Sequence, residues 1–116
     1  MNKIDKPWGY ELIWAKTDRY AGKILHIENG YCLSLQYHEV KDETIMVKSG
    51  ILTLELGQGE LKTTQKLFPW ESVHIPAGTI HRMIADTDLL YIEASTTQLD
   101  DVVRLSDDYG RSGAEV

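Results

Sequence analysis

One cysteine, Cys32, occurs in 116 residues, so no disulfide can form within the chain. It reads as a small buried apolar residue. Long apolar runs are missing as well: nothing approaches the ~20 residues that span a bilayer, and residues 1–7 hold no apolar stretch of the secretory kind. The expectation is a cytoplasmic protein with no membrane partner. Positive charge is in short supply, with 12 Lys and Arg against 18 Asp and Glu, a net charge of −6 and a pI near 5.1. Phosphate backbones and anionic bilayers are bound by clustered cations, so this balance argues against nucleic acid and anionic membrane. A small anionic ligand needs only a few local cations and stays open. There is no convincing helix of ten or more residues, no internal repeat, no low-complexity segment and no glycine-rich phosphate loop.

What is present is ordinary for a soluble domain: 42% hydrophobic and 26% charged residues in a length that suits one core and is too short for two. Short apolar runs at 10–14, 23–27, 33–38, 43–47, 51–56, 72–75, 81–85 and 89–94 read as strands. Turn signals separate them, among them Glu28-Asn29-Gly30, Lys48-Ser49-Gly50, Gly57-Gln58-Gly59 and Pro76-Ala77-Gly78. Residues 61–65 carry a weak pattern, residues 100–105 suit a last short strand or a helical turn, and the polar tail 106–116 is expected on the surface or frayed. Many short strands at near-regular spacing give an all-β sandwich or barrel as a single domain, residues 1–116 with a core of about 8–105.

Within one strand residues two apart share a face. Leu33, Leu35 and Tyr37 therefore make one apolar face, and Ser34, Gln36 and His38 the other. Pairing of this run with 43–47 as a hairpin would make Gln36, His38 and Glu43 converge. An amide oxygen, an imidazole and a carboxylate suit a divalent metal that prefers nitrogen and oxygen donors, and His81 is the candidate fourth ligand. His26 and His74 read as structural. Trp8, Tyr37 and Trp70 read as core or rim aromatics.

Two stretches resemble the signature of the cupins, jelly-roll barrels (double-stranded β-helices) that hold a metal inside. Gly30, Gln36, His38, Glu43 and Gly50 fall at the places of the first cupin motif, with Gln36 where a histidine is usual. Pro76, Gly78 and His81 match the second motif, while Trp70 stands where that motif has glycine and Ala85 where it has asparagine. Further stretches are similar to the cupin domain of type II mannose-6-phosphate isomerases, which often forms the second half of a fused isomerase and guanylyltransferase. These are Pro7-Trp8-Gly9, Leu33-Ser34-Leu35-Gln36, Pro76-Ala77-Gly78-Thr79-Ile80-His81-Arg82, Asp100-Asp101-Val102-Val103-Arg104 and Asp108-Tyr109-Gly110-Arg111.

That resemblance implies one divalent ion (Zn, Mn, Fe, Co or Ni) on Gln36, His38, Glu43 and His81, glutamine being the first ligand in that group. It implies a sugar or sugar phosphate as ligand and aldose–ketose isomerisation as the reaction. Lys41, Arg82, Arg104 and Arg111 are the candidates for holding substrate, and no proton-transfer base is assigned. Alternation turns Arg82 away from the face used by His81. The group usually has three consecutive histidines and an arginine where this chain reads His38-Glu39-Val40-Lys41, and lysine cannot make the planar two-point contact of arginine. The alternatives are a cupin enzyme acting on uronates or other small acids, a dioxygenase, or a noncatalytic sugar-binding cupin. Guanylyltransferase activity does not fit a chain without a nucleotide loop. A homodimer paired through edge strands is the expected assembly.

Overall fold

The computed structural model describes residues 2–108 and the backbone of 113–115. Twelve strands follow one another: β1 (Asn2–Lys6), β2 (Gly9–Lys16), β3 (Ala21–Ile27), β4 (Leu35–Tyr37), β5 (Glu43–Ser49) and β6 (Leu52–Leu56), then β7 (Thr63–Leu67), β8 (Ser72–Ile75), β9 (His81–Ala85), β10 (Leu89–Ser95), β11 (Val102–Ser106) and β12 (Gly113–Glu115). The one described helix is a single 3-10 turn, Gly59–Leu61. Two six-stranded antiparallel sheets face each other, ordered β1-β2-β3-β10-β5-β8 and β12-β11-β4-β9-β6-β7. This is the jelly-roll barrel expected from the sequence.

Inward-facing side chains change character along the strands. On β5, Val47 and Ile45 give way to Glu43; on β10, Leu89 and Tyr91 to Glu93 and Ser95; on β9, Ala85 and Met83 to His81; on β3, Ile27 and Leu25 to Lys23. The apolar ends join Leu52, Leu54, Leu67, Ile75 and Trp8 in one core, and burial there drives folding. The polar ends share the other half of the interior. One end of the barrel is thus sealed by hydrocarbon and the other is built for a polar guest.

One expectation is corrected, and three strands lie where the sequence carries little or no strand signal. The runs 33–38 and 43–47 are not a hairpin: β4 pairs with β9 and β11 in one sheet, while β5 pairs with β8 and β10 in the other. Their donors converge because the two sheets face each other across the barrel. Strands β1 and β7 go unseen in the alternation because both lie at sheet edges with mostly exposed side chains; on β7 only Leu67 is buried. Within the tail, β12 pairs with β11 at a sheet edge through Val102↔Glu115, Val103↔Ala114 and Arg104↔Gly113.

Two backbone positions carry the turn geometry. Gly9 has φ 153 and lies so close to β3 that a Cβ there would be 2.0 Å from the His26 carbonyl oxygen. Trp70, at the place where the second cupin motif has glycine, takes φ 73, a left-handed conformation that a bulky side chain rarely adopts. Its amide still donates to Val47 O at 2.7 Å, so the turn is hydrogen-bonded despite the strain.

Candidate metal centre

Gln36 and His81 are direct cross-strand partners, the one pair joining β4 to β9. His38 follows two residues later on the same inward phase, just beyond β4, and Glu43 opens β5 on the opposite sheet. All four are buried. One ligand atom each from His38, Glu43 and His81 can be chosen so that all three lie within 4.8 Å of one another.

Backbone carbonyls fix both imidazoles. His38 Nδ1 lies 2.6 Å from Asp101 O and His81 Nδ1 lies 2.8 Å from Thr79 O. A carbonyl oxygen only accepts, so each Nδ1 carries hydrogen and each neutral ring keeps its lone pair on Nε2, the usual arrangement behind a metal-binding histidine. Gln36 donates from its amide nitrogen to Ser34 O at 3.4 Å, which leaves the carbonyl oxygen as its ligating atom. His38 Nε2 then faces Glu43 Oε2 at 3.1 Å. Two lone pairs at that distance require a proton or a cation between them, and this donor set fits a divalent ion.

Electrostatics support the same reading. Burial pushes the Glu43 carboxyl up, yet the ammonium of Lys41, and a hydrogen bond and positive charge from the imidazoles when a proton takes the place of a cation there, outweigh it and hold the carboxyl at about 2. His81 is pushed down by burial, only partly offset by Glu43, which favours the neutral ring a metal needs. Lys41 Nζ reaches Glu43 Oε2 at 3.1 Å and Glu93 Oε2 at 3.0 Å. Burial disfavours its charge, but Glu93 and Glu43 more than compensate and raise its pKa, so the ammonium is retained. One ammonium thus stands between the two carboxylates, shared by both.

These groups open on a cavity of about 290 Å³. Its walls hold Lys6, Lys16, Lys23, Lys41 and Arg104 against Glu11, Glu43, Glu93 and Asp100, a local excess of cations in a chain of net charge −6. Lys41 and Arg104, both named from the sequence as substrate candidates, line it. Arg104 stands opposite Gln36 in the β4–β11 register. Arg82 does not line the cavity: on the other face of β9, its Nε donates to Leu33 O at 2.9 Å and its guanidinium meets Asp108 at 3.4 Å. Arg111 lies outside the described residues. Cys32 is half-buried beside Asp108, its Sγ 3.1 Å from Oδ2, and burial raises its thiol to about 11. Lys48 lies outside, 5.6 Å over the exposed Trp70 ring.

Sequence reasoning missed Glu11, Lys23 and Glu93. Each is a charged residue in the inward phase of a strand whose other inward positions are mostly apolar, as with Lys23 beside Leu25 and Ile27, and that mismatch was the available signal. No helix among the described residues is long and apolar enough to cross a membrane.

Comparison with known proteins agrees with this architecture. The model of the family described as mannose-6-phosphate isomerase C-terminal matches residues 1–107. The xanthan biosynthesis protein XanB of Xanthomonas campestris pv. campestris is 32% identical over 95% of this chain and 24% of its own length. The mannose-1-phosphate guanylyltransferase of Escherichia coli K12 is 34% identical over 94% of this chain and 23% of its own. The chain thus spans about a quarter of the length of these curated relatives. Among solved structures, the capsular polysaccharide assembling protein CapF of Staphylococcus aureus superposes with TM-score 0.81 at 22% identity, over 90% of this chain and 31% of its own. KdgF from Halomonas sp. gives 0.74 at 22% identity, over 86% and 89%. A cupin superfamily protein of Desulfitobacterium hafniense gives 0.66 at 15% identity, over 76% of each chain, and places the fold among the cupins.

Proposed function

Given that the chain belongs to the mannose-6-phosphate isomerase C-terminal family of cupins, we propose that it is a metal-dependent barrel acting on a sugar phosphate, interconverting aldose and ketose. The observation that carries this reading is the cluster of His38, Glu43 and His81, within 4.8 Å at the polar end of the cavity. With Gln36 they would hold one divalent ion, which supplies Lewis acidity to the oxygens of the first two sugar carbons. Isomerisation also needs a group that takes a proton from one carbon and returns it to the next. Glu43 is committed as a ligand. Glu93 is a buried carboxylate of the cavity outside the ligand set, and Lys41, 3.0 Å from it, ties it to Glu43. Arg104, with Lys6 and Lys16 on the same walls, keeps the cavity attractive to an anionic substrate.

A noncatalytic sugar-binding cupin is the second reading, favoured by one observation. Where the related group has arginine, Lys41 is already engaged by Glu43 and Glu93, so its charge is largely spent inside the protein. A homodimer remains part of the proposed assembly. The deciding experiment is a coupled assay of mannose 6-phosphate to fructose 6-phosphate on protein stripped of metal and reloaded in turn with Zn, Mn, Fe, Co and Ni. Turnover that depends on metal and disappears in Glu43→Ala is the expected result. Silence with every ion, from protein that binds one stoichiometrically, would sink the isomerase and leave the binding module.

A further inference from the structure

Across the polar half of the cavity, carboxylates and ammonium groups alternate: Glu43, Lys41, Glu93, Lys23, Glu11. Lys41 bridges the first and third; Lys23 stands directly opposite Glu93 in the β3–β10 register, and its Nζ lies 3.3 Å from Glu11 Oε1. Each side chain is more than nine-tenths buried, with exposures from 3% to 9%. Folding does not ask for this row, because a buried ion pair is commonly replaced by apolar residues of similar volume without loss of stability. Yet all five side chains face the same cavity, and Glu43 and Glu93 share the single ammonium of Lys41 between them.

A hydroxyl is the group that donates and accepts at once. A phosphate at Lys23 would meet the carboxylate of Glu11, and an acid lacking hydroxyls would bring Glu11 and Glu93 no donor of its own. Neighbouring hydroxyls on a carbon chain satisfy both kinds of partner in turn. We infer that Lys23 and Glu11 form a polyol subsite, reading the sugar hydroxyls beyond the two carbons at the ion. This rests on the functional reading above and gives it a direction: the carbonyl end of the sugar at His38, Glu43 and His81, the hydroxylated chain along Glu93, Lys23 and Glu11.

Trp8 is 3% exposed and lines the same cavity, which makes its fluorescence a reporter. The metal-loaded full chain is titrated with mannose 6-phosphate, its 3-deoxy and 4-deoxy analogues, mannitol and inorganic phosphate. The double variant Glu11→Leu/Lys23→Met removes the pair together and leaves no orphan charge; Lys23→Met and Glu11→Gln accompany it. The double variant is expected to bind metal stoichiometrically, to lose at least about tenfold in affinity for mannose 6-phosphate and to keep its affinity for inorganic phosphate. One deoxy analogue should bind the unmodified chain about as weakly as the double variant binds the parent sugar. Sugar affinity within about twofold of the unmodified chain, or equal losses for sugar phosphate and inorganic phosphate, would overturn the subsite. Mannitol separates the two readings. If it binds through Lys23 and Glu11 while mannose 6-phosphate is not turned over, the subsite stands and the isomerase falls; if mannose 6-phosphate is turned over and the double variant binds it as the unmodified chain does, the isomerase stands and the subsite falls.

Discussion

At the scale of single residues, Lys41 holds apart two carboxylates that would otherwise face each other with little water between them. Truncating one partner of a buried charge network leaves the others unpaired, so Lys41→Met should cost about 3–5 kcal/mol in a denaturant melt. Adding Glu93→Gln to that variant should recover much of the loss, and no recovery would mean that Lys41 acts by packing rather than by charge. Trp70 makes the opposite case. Its left-handed backbone (φ 73) explains why the cupin motif places glycine there, and the tryptophan is 65% exposed with Lys48 over its ring. Trp70→Gly should therefore stabilise the fold by about 1 kcal/mol, read as a higher denaturation midpoint. An unchanged or lower midpoint would show that the ring contributes more than the strain costs.

At the scale of elements, the segment between β4 and β5 is organised by a side chain some sixty residues further on. Asp101 accepts hydrogen bonds from the amides of Glu39, Val40 and Lys41 at 2.8–3.1 Å, while its backbone oxygen holds His38. The slight burial of its carboxyl works against ionisation, but the three amide donors prevail and lower its pKa below the ordinary 3.8. A carboxyl depressed in the folded state stabilises fully above its unfolded value and loses that contribution as pH falls through the folded one. Asp101→Ala should cost about 1–2 kcal/mol at pH 7, and the gap to the unmodified chain should close below about pH 3.8. A gap that persists unchanged into acid would remove the carboxylate from the explanation. None of this was legible in the sequence, where Asp100-Asp101 reads as part of a motif with no stated target. The same limit produced the false hairpin: alternation shows which side chains of 33–38 share a face, but not that a three-residue β4 finds β9 and β11 instead of its neighbour in the chain.

Seen as a whole molecule, the barrel was legible where strands bury one face and illegible where they do not. Strands β5, β9 and β10 announce themselves through Ile45 and Val47, Met83 and Ala85, Leu89 and Tyr91; the edge strands β1 and β7 have almost no buried side chain to set a rhythm. Of the candidate site, the motif spacing gave Gln36, His38, Glu43 and His81. The far wall of the cavity stayed hidden because Glu11, Lys23 and Glu93 belong to no motif and show only as charges out of step with their strands. The donors come from both sheets: Gln36 and His81 from one, His38 just beyond it, and Glu43 from the other. No pair of neighbouring strands assembles them. An ion that needs all four can therefore bind only after the sheets have closed on each other, late on the folding path, and it acts as a latch rather than a seed. In stopped-flow measurements, saturating ion should slow unfolding by the full factor of its binding free energy and leave the refolding rate unchanged. A refolding arm that speeds up with metal would mean that the two sheets meet at this corner first.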